Sequence, residues 1–245
     1  MKNKKMQFIS TSINESSKDE KDLIAPVPAS KKIPQWYKDL ASYGGTSTDL
    51  SDLNPINDRS ADGSNVSTKL CLPFLDAMIS GYMYLLEDDI GVDLSDDGSP
   101  IVSWNKNKPL IDKRPFVDLA IPSDCHPIHF GIKMNWYYQT PKGYSLLFTH
   151  PMNRPELPFY IPSAIVDSDI WGLPAFIPFF IKKNFIGTIK KETPIVQMIP
   201  IKRDSWELEI IESEDIVNQH KIREEKRRSH ITAHYKKSTW QKKKY

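Results

Sequence analysis

The chain has 245 residues, a formal net charge of +2, 39% hydrophobic and 26% charged residues, which are the proportions of a globular protein. Two cysteines, Cys71 and Cys125, stand far apart in no metal-ligand spacing, which argues against a secreted disulfide framework and for a reducing compartment. No uninterrupted apolar run reaches membrane-spanning length and no signal-peptide core follows the basic start Met1-Lys2-Asn3-Lys4-Lys5, so a soluble cytoplasmic protein without membrane contacts is expected.

Proline is the outlier, 19 against 10 glycines. Proline breaks helices and central strands but suits turns and edges, so many short strands joined by stiff turns are expected. Along the chain, Met6–Ile9 reads as a strand and residues 13–32 as an extended linker or arm. Pro34-Gln35-Trp36-Tyr37 starts a short helix with proline in its first turn, and its aromatic pair pins the arm to the body. Residues 44–67, rich in Asp, Asn, Ser and Gly, form a loop. The body opens near Thr68 with the apolar Cys71-Leu72-Pro73-Phe74-Leu75. Ser80–Leu86 is a strand, Asp96-Asp97-Gly98-Ser99 a hairpin turn, Ile101–Trp104 the returning strand, and Asn105–Pro115 a polar loop.

Ile132–Thr140 is strongly strand-like, and Pro141-Lys142-Gly143-Tyr144 turns it into Ser145–Thr149. Further strands are expected at 164–166, 175–181 and 194–201. Trp206-Glu207-Leu208-Glu209-Ile210 alternates as a half-exposed strand does. Strands without intervening helical periods argue an antiparallel sandwich or barrel. After Ser213 the pattern changes to a helix, with Glu214 and Asp215 suited to its first turn. Residues 218–245 hold ten Lys or Arg against two Glu, so a mildly acidic body carries a basic tail. The chain thus divides into an arm with loops at 1–67, a β-rich core at 68–212 and a basic helix and tail at 213–245.

Three pieces in order resemble the deoxyuridine triphosphatase and deoxycytidine triphosphate deaminase superfamily: Pro141-Lys142-Gly143-Tyr144-Ser145, Ala164-Ile165-Val166-Asp167-Ser168-Asp169-Ile170-Trp171-Gly172, and Lys191-Glu192-Thr193-Pro194-Ile195-Val196-Gln197-Met198-Ile199. The resemblance covers about a quarter of the chain, and it implies a dUTPase-like β-clip. It places Asp167 where those enzymes hold the carboxylate that activates water, with Mg²⁺ as cofactor. The chain departs from the family pattern in its chemistry. Ile170 stands in place of the usual Tyr beneath the nucleoside. His150-Pro151-Met152-Asn153-Arg154-Pro155 offers Arg154 but not the small hydroxyl residues of a phosphate-binding turn. No Gly-rich C-terminal arm closes over phosphates. Pro34–Tyr37 with Gly143-Tyr144-Ser145 and His150-Pro151 also resembles uncharacterised proteins of tailed bacteriophages and their hosts, which implies a virion location as an alternative to the cytoplasm.

Other constellations are weaker. Asp124-Cys125-His126-Pro127-Ile128-His129 could chelate a metal, but Pro-Ile belongs to a loop-to-strand passage and no partner cluster appears. Asp167 and Asp169 could share a cation, whereas Asp-Ser-Asp runs more often build turns. Signatures for Ser-His-Asp catalysis or a phosphate-cradling loop are absent. Arg223, Lys226, Arg227 and Arg228 suit contacts to nucleic-acid phosphate, to an acidic neighbouring subunit, or to solvent alone.

The expected fold is mainly β: a β-clip or jelly-roll-like body with an extended N-terminal arm and a C-terminal basic helix. The leading functional expectation is a non-catalytic phage-type protein that acts in assembly or binding, with self-association or other phage proteins as partners and no cofactor. A divergent nucleotide hydrolase with Asp167 as base and Mg²⁺ is the alternative, with Arg154 and Asp169 as binding residues. A nucleic-acid-binding accessory protein working through the tail is the third.

Overall fold

The computed structural model describes residues 4–11, 23–41, 43–44, 65–105, 110–113, 120–174, 176–228 and 239–242. Residues 13–22 of the linker expected at 13–32, most of the loop at 44–67, parts of the loop at 105–115 and the tail from 229 to 238 lie outside them.

In chain order the elements are β1 (Gln7–Ser10), β2 (Val27–Pro28), α1 (Gln35–Asp39), β3 (Tyr43–Gly44), β4 (Asn65–Val66), α2 (Leu72–Ile79), β5 (Tyr82–Leu85), β6 (Ile90–Leu94), β7 (Pro100–Ser103) and β8 (Ile111–Lys113). There follow β9 (Cys125–Lys133), β10 (Trp136–Gln139), β11 (Tyr144–Thr149), β12 (Phe159–Tyr160), β13 (Ala164–Val166), β14 (Phe176–Lys182), β15 (Gly187–Ile189), β16 (Pro194–Lys202) and α3 (Glu214–Arg228). The chain is mainly β, and all the ladders among the described residues are antiparallel. The short strand at 111–113 falls where a polar loop was expected: Leu110 and Ile111 are buried, and the strand pairs with β9.

Two compact units are present. The first comprises residues 1–32 and 78–203 with residue 245; the second comprises 33–77 and 204–244. In the first unit, a five-stranded sheet runs β13-β11-β16-β5-β2 and a four-stranded sheet β12-β14-β9-β8. Both sheets feed one core. Tyr84 of β5, Leu146 and Phe148 of β11 and Val196 and Met198 of β16 share it with Phe130 and Ile132 of β9 and Phe179 and Ile181 of β14. Alternation along each strand explains the arrangement, because side chains of period two fill the shared layer. β1 pairs with β10, and β2 forms one edge of the five-stranded sheet.

Polar groups are buried as well, Gln197 on the face of the sheet opposite Val196 and Met198. Gln197 of β16 is fully buried; its Oε1 accepts from Met152 N at 2.9 Å and its Nε2 donates to Ser80 O at 2.7 Å. Tyr84, also buried, donates to Glu87 Oε1 at 2.7 Å, and Asn135 Nδ2 donates to Glu87 Oε2 at 2.6 Å. Burial and the adjacent Glu87 carboxylate push the Tyr84 phenol well up.

In the second unit, Tyr37 of α1 stacks on Phe74 of α2 with ring centroids 6.1 Å apart, and Trp36 meets both rings edge-on. Lys69 Nζ donates to the carbonyls of Tyr37 and Lys38 at 2.7 and 2.6 Å. Residues 204–213 follow β16 without regular secondary structure. The half-exposed strand expected at 206–210 differs in one respect: among the described residues it joins no ladder, and Trp206, Leu208 and Ile210 stay 78–90% exposed. No helix among the described residues is long and apolar enough to cross a membrane.

Candidate functional site

Asp167 and Asp169 follow β13 in a tight turn. Asp167 O accepts from Ile170 N at 3.0 Å and Trp171 N at 2.8 Å, which winds the chain sharply toward Gly172. Short polar residues favour such turns through local hydrogen bonds. β13 pairs with β11 at Leu146↔Val166 and β11 with β16 at Tyr144↔Lys202. That register brings the start of β11, the end of β13 and the end of β16 together.

Arg203, the first residue after β16, closes the group. Its backbone N donates to Gly143 O at 2.9 Å. Its Nη1 lies 2.9 Å from Asp169 Oδ1, 3.1 Å from Asp167 Oδ1 and 3.0 Å from Ser145 Oγ, and its Nη2 lies 2.5 Å from Asp169 Oδ2. The guanidinium fork thus grips Asp169 with both nitrogens, the planar geometry that makes Arg–carboxylate pairs specific. Ser145 Oγ donates to Asp167 Oδ1 at 2.6 Å. Gly143 N donates to Asp169 Oδ2 at 2.8 Å. Gly143 has φ +82°, a left-handed value that glycine adopts freely and that turns its N–H toward this carboxylate.

The two carboxylates differ in setting. Asp169 is 5% exposed and Asp167 59%. The Arg203 hydrogen bonds, followed by the Gly143 N–H, hold the Asp169 carboxyl down at about 2. The Asp169 hydrogen bonds in turn raise Arg203. Beneath the turn, Thr140 Oγ1 donates to Tyr144 O at 2.9 Å, so its contact with Ser168 Oγ at 2.7 Å has Ser168 as donor. Gly172 lies directly against β10: Tyr138 N donates to Gly172 O at 3.1 Å, and a Cβ on Gly172 would stand 2.2 Å from Tyr138 O.

The other candidates stand apart from this cluster. Arg154 lies past the far end of β11, where its Nη1 donates to Lys32 O at 3.0 Å and its Nε pairs with Glu156. The structure therefore does not bring Arg154 to Asp167. Asn153, just before it, has φ +58°. Arg223 is exposed on α3, and the side chains of Lys226, Arg227 and Arg228 lie outside the described residues. His126 and His129 are buried on β9, with His126 Nε2 and His129 Nδ1 lacking hydrogen-bond partners. Among the described residues no group of three or more His, Cys, Asp or Glu is placed to hold a metal. Burial, then the Asp124 carboxylate, pushes the Cys125 thiol up to about 11.

Arg203, Ser145 and Gly143 complete the cluster, and sequence reasoning missed their part in it. The available signal was an arginine directly after a core strand, paired by register with a proline-glycine turn.

No family model matches the chain, and no curated protein matches it. Among solved structures it is similar to a mutant dUTPase from phage phi11 of S. aureus, described for its coordination of a structural Mg(II) ion. The identity is 13% and the TM-score 0.30, over 55% of this chain and 84% of that one.

Proposed function

We propose that this chain is a non-catalytic protein that works by assembly, through an apolar surface carried on its β-rich body. The observation behind this reading is the stretch that spans the carboxylate turn. Ile165, Ile170, Trp171, Leu173 and Phe176 fall within twelve residues and are 42–83% exposed. Exposed apolar patches mark interaction sites, and large aromatic side chains anchor them. The stretch is also fixed in place: the Arg203–Asp169 fork, the Ser168–Thr140 pair and the Gly172–Tyr138 contact hold its backbone. A surface held rigid before contact loses less entropy on binding.

The same cluster is poorly arranged for hydrolysis. Asp167 Oδ1 already accepts from Ser145 and Arg203, and Arg203 stands between the two carboxylates where a chelated cation would have to sit. The residues present therefore do not suit Mg²⁺ there.

The partner is a second copy of this chain. Light scattering and sedimentation at up to about 100 µM test it, the upper end of a weak but specific interface. Association is expected, and Ile170→Ser with Trp171→Ser should weaken it by about 100-fold, the loss typical of hot-spot truncation. A strict monomer overturns the reading. So does Mg²⁺-dependent turnover of a nucleoside triphosphate that Asp167→Asn abolishes, which would install the hydrolase instead.

A further inference from the structure

We infer that the second copy is held by its backbone: β13 pairs antiparallel with β13 of the partner about a two-fold axis through Ile165, joining two five-stranded sheets into one. This deepens the assembly reading above and rests on it, because it names the atoms that make the contact.

The register fixes which groups stand at this edge. Among the described residues β13 has β11 as its one neighbour and ends the five-stranded sheet. In an antiparallel ladder every second residue exchanges its backbone hydrogen bonds with the residue opposite, and the residues between turn theirs to the other side. Arg203 N donates to Gly143 O, so the bonded pairs that follow between β11 and β16 are Ser145 with Ile201 and Leu147 with Ile199. Pro200, which has no N–H, falls opposite Leu146 at a non-bonded pair, as this phase requires. Leu146 and Phe148 therefore turn to β13, where they meet Val166 and Ala164. Ile165 is left with its N–H and C=O directed away from the sheet, and its side chain is 64% exposed. Such an edge is a template for another strand.

The strand complements itself, and this names the occupant. Upstream, Pro162 has no N–H with which to continue a ladder. Downstream, Asp167 O already accepts from Ile170 N and Trp171 N. The stretch able to pair is therefore 163–167, and Ile165 is its centre. Across a two-fold axis Ile165 donates its N–H to the C=O of the partner's Ile165 and accepts the reverse bond, an isologous contact. A shift by one residue would offer this edge only residues already bonded to β11. Charge agrees with the symmetric register. Asp167 falls opposite the partner's Ser163, and the two Asp167 residues stand at opposite ends of the pairing, about 13 Å apart at about 3.3 Å per residue. Each keeps Arg203 beside it. Apolar side chains agree too. Leu147 lies opposite Ile165 and Ile199 opposite Leu147, a row on the face away from the core residues Leu146 and Met198. The partner's Ile165 extends that row as a cross-strand neighbour.

Variants of the full chain test this. Ile165→Pro removes an outward N–H, a change that an edge strand tolerates, and both bonds across the axis go with it. Sedimentation should show association weakened by about 30-fold, with Tm within about 3 °C of wild type. Val166→Pro instead removes an N–H turned toward β11 and should lower Tm by more than about 5 °C. The reverse order of the two Tm losses overturns the edge assignment. A second measurement does not need the proline to fold. In a bonded antiparallel pair the Cα atoms lie about 5.5 Å apart, within disulfide reach, so Ile165→Cys in a Cys71→Ser background should give a covalent dimer with diamide. Ile101→Cys, on the exposed strand β7, is the control in the same background. A yield no higher than that control overturns the pairing. If Ile170→Ser with Trp171→Ser abolishes association while Ile165→Pro leaves it unchanged, the pairing falls and the apolar surface stands. The opposite pattern keeps the pairing and removes those two side chains as anchors. A wild-type chain that is monomeric at about 100 µM sinks both.

Discussion

Gly172→Ala probes the turn that carries both carboxylates and the exposed Trp171. The Cβ of an alanine here would stand 2.2 Å from Tyr138 O and 3.3 Å from Tyr138 C. Both obstacles are backbone atoms of β10, so no side-chain rotation relieves the clash. The loop has to move by more than 1 Å, which strains or breaks the Tyr138 N–H···O=C Gly172 bond of 3.1 Å. Overpacking of this kind costs about 1–3 kcal/mol, and a lost hydrogen bond adds about 1 kcal/mol. The expected destabilisation is about 2–4 kcal/mol, or roughly 5–15 °C in Tm for a protein of this size. Gly143→Ala serves as the contrast. Its Cβ would meet nothing within 4 Å, so only the left-handed φ of +82° is strained, at about 1–2 kcal/mol. Calorimetry and urea titration compare the two. A Gly172→Ala Tm within about 2 °C of wild type, or a loss smaller than that of Gly143→Ala, refutes the assignment of Gly172 to a close backbone approach.

Other expectations concern groups elsewhere in the chain. Asp169 has its carboxyl held at about 2 against an ordinary 3.8, so between these values the unfolded chain binds the extra proton. Its contribution to stability is therefore complete above pH 4 and is lost as the pH falls through about 2; in Asp169→Asn the acid limb of a urea-midpoint profile should flatten over this window, and an unchanged limb contradicts the clamp. With the exposed Cys71 and with Cys125 buried and raised to about 11, thiol titration of the folded chain at pH 8 should find one rapidly alkylated cysteine. Two fast thiols would contradict that burial. Phe179→Ala empties a fully buried position in the shared core. It should cost about 3–5 kcal/mol by urea denaturation, and a loss below about 1 kcal/mol would show that the two sheets do not share that layer.

The β-rich fold was legible because its strands follow local rules. Ser145–Thr149 and Pro194–Ile201 carry the branched, aromatic and apolar residues that buried strands need, and prolines and glycines punctuate them; the single strand expected at Ile132–Thr140 is instead the end of β9 and the whole of β10, broken at Met134-Asn135. The turn at Asp167–Gly172 was equally visible, since Asp-x-Asp followed by glycine is a local signal. Arg203 was not. Its partners lie 34 to 60 residues back in sequence, and only the β11–β16 register brings them together. The segment at Trp206–Ile210 shows the same limit from the other side. Alternation reveals which face is apolar, but not whether a neighbouring strand or helix exists to cover it. Arg154 was only the nearest candidate for a phosphate-binding turn, and its partners are Lys32 O and Glu156.

The pairing of β1 with β10 has a consequence for how the chain is made. Gln7 finds its partner in Gln139, and Ser10 in Trp136. At ribosomal rates of about 5–20 residues per second, the first strand emerges roughly 7–26 s before the strand it joins. Through that interval its backbone donors and acceptors are an open template for any other extended chain. Lys5 and Lys4 stand two and three residues before Gln7. Charges at a strand margin discourage wrong pairing, and two lysines beside a strand that waits this long are of the kind that keeps it single.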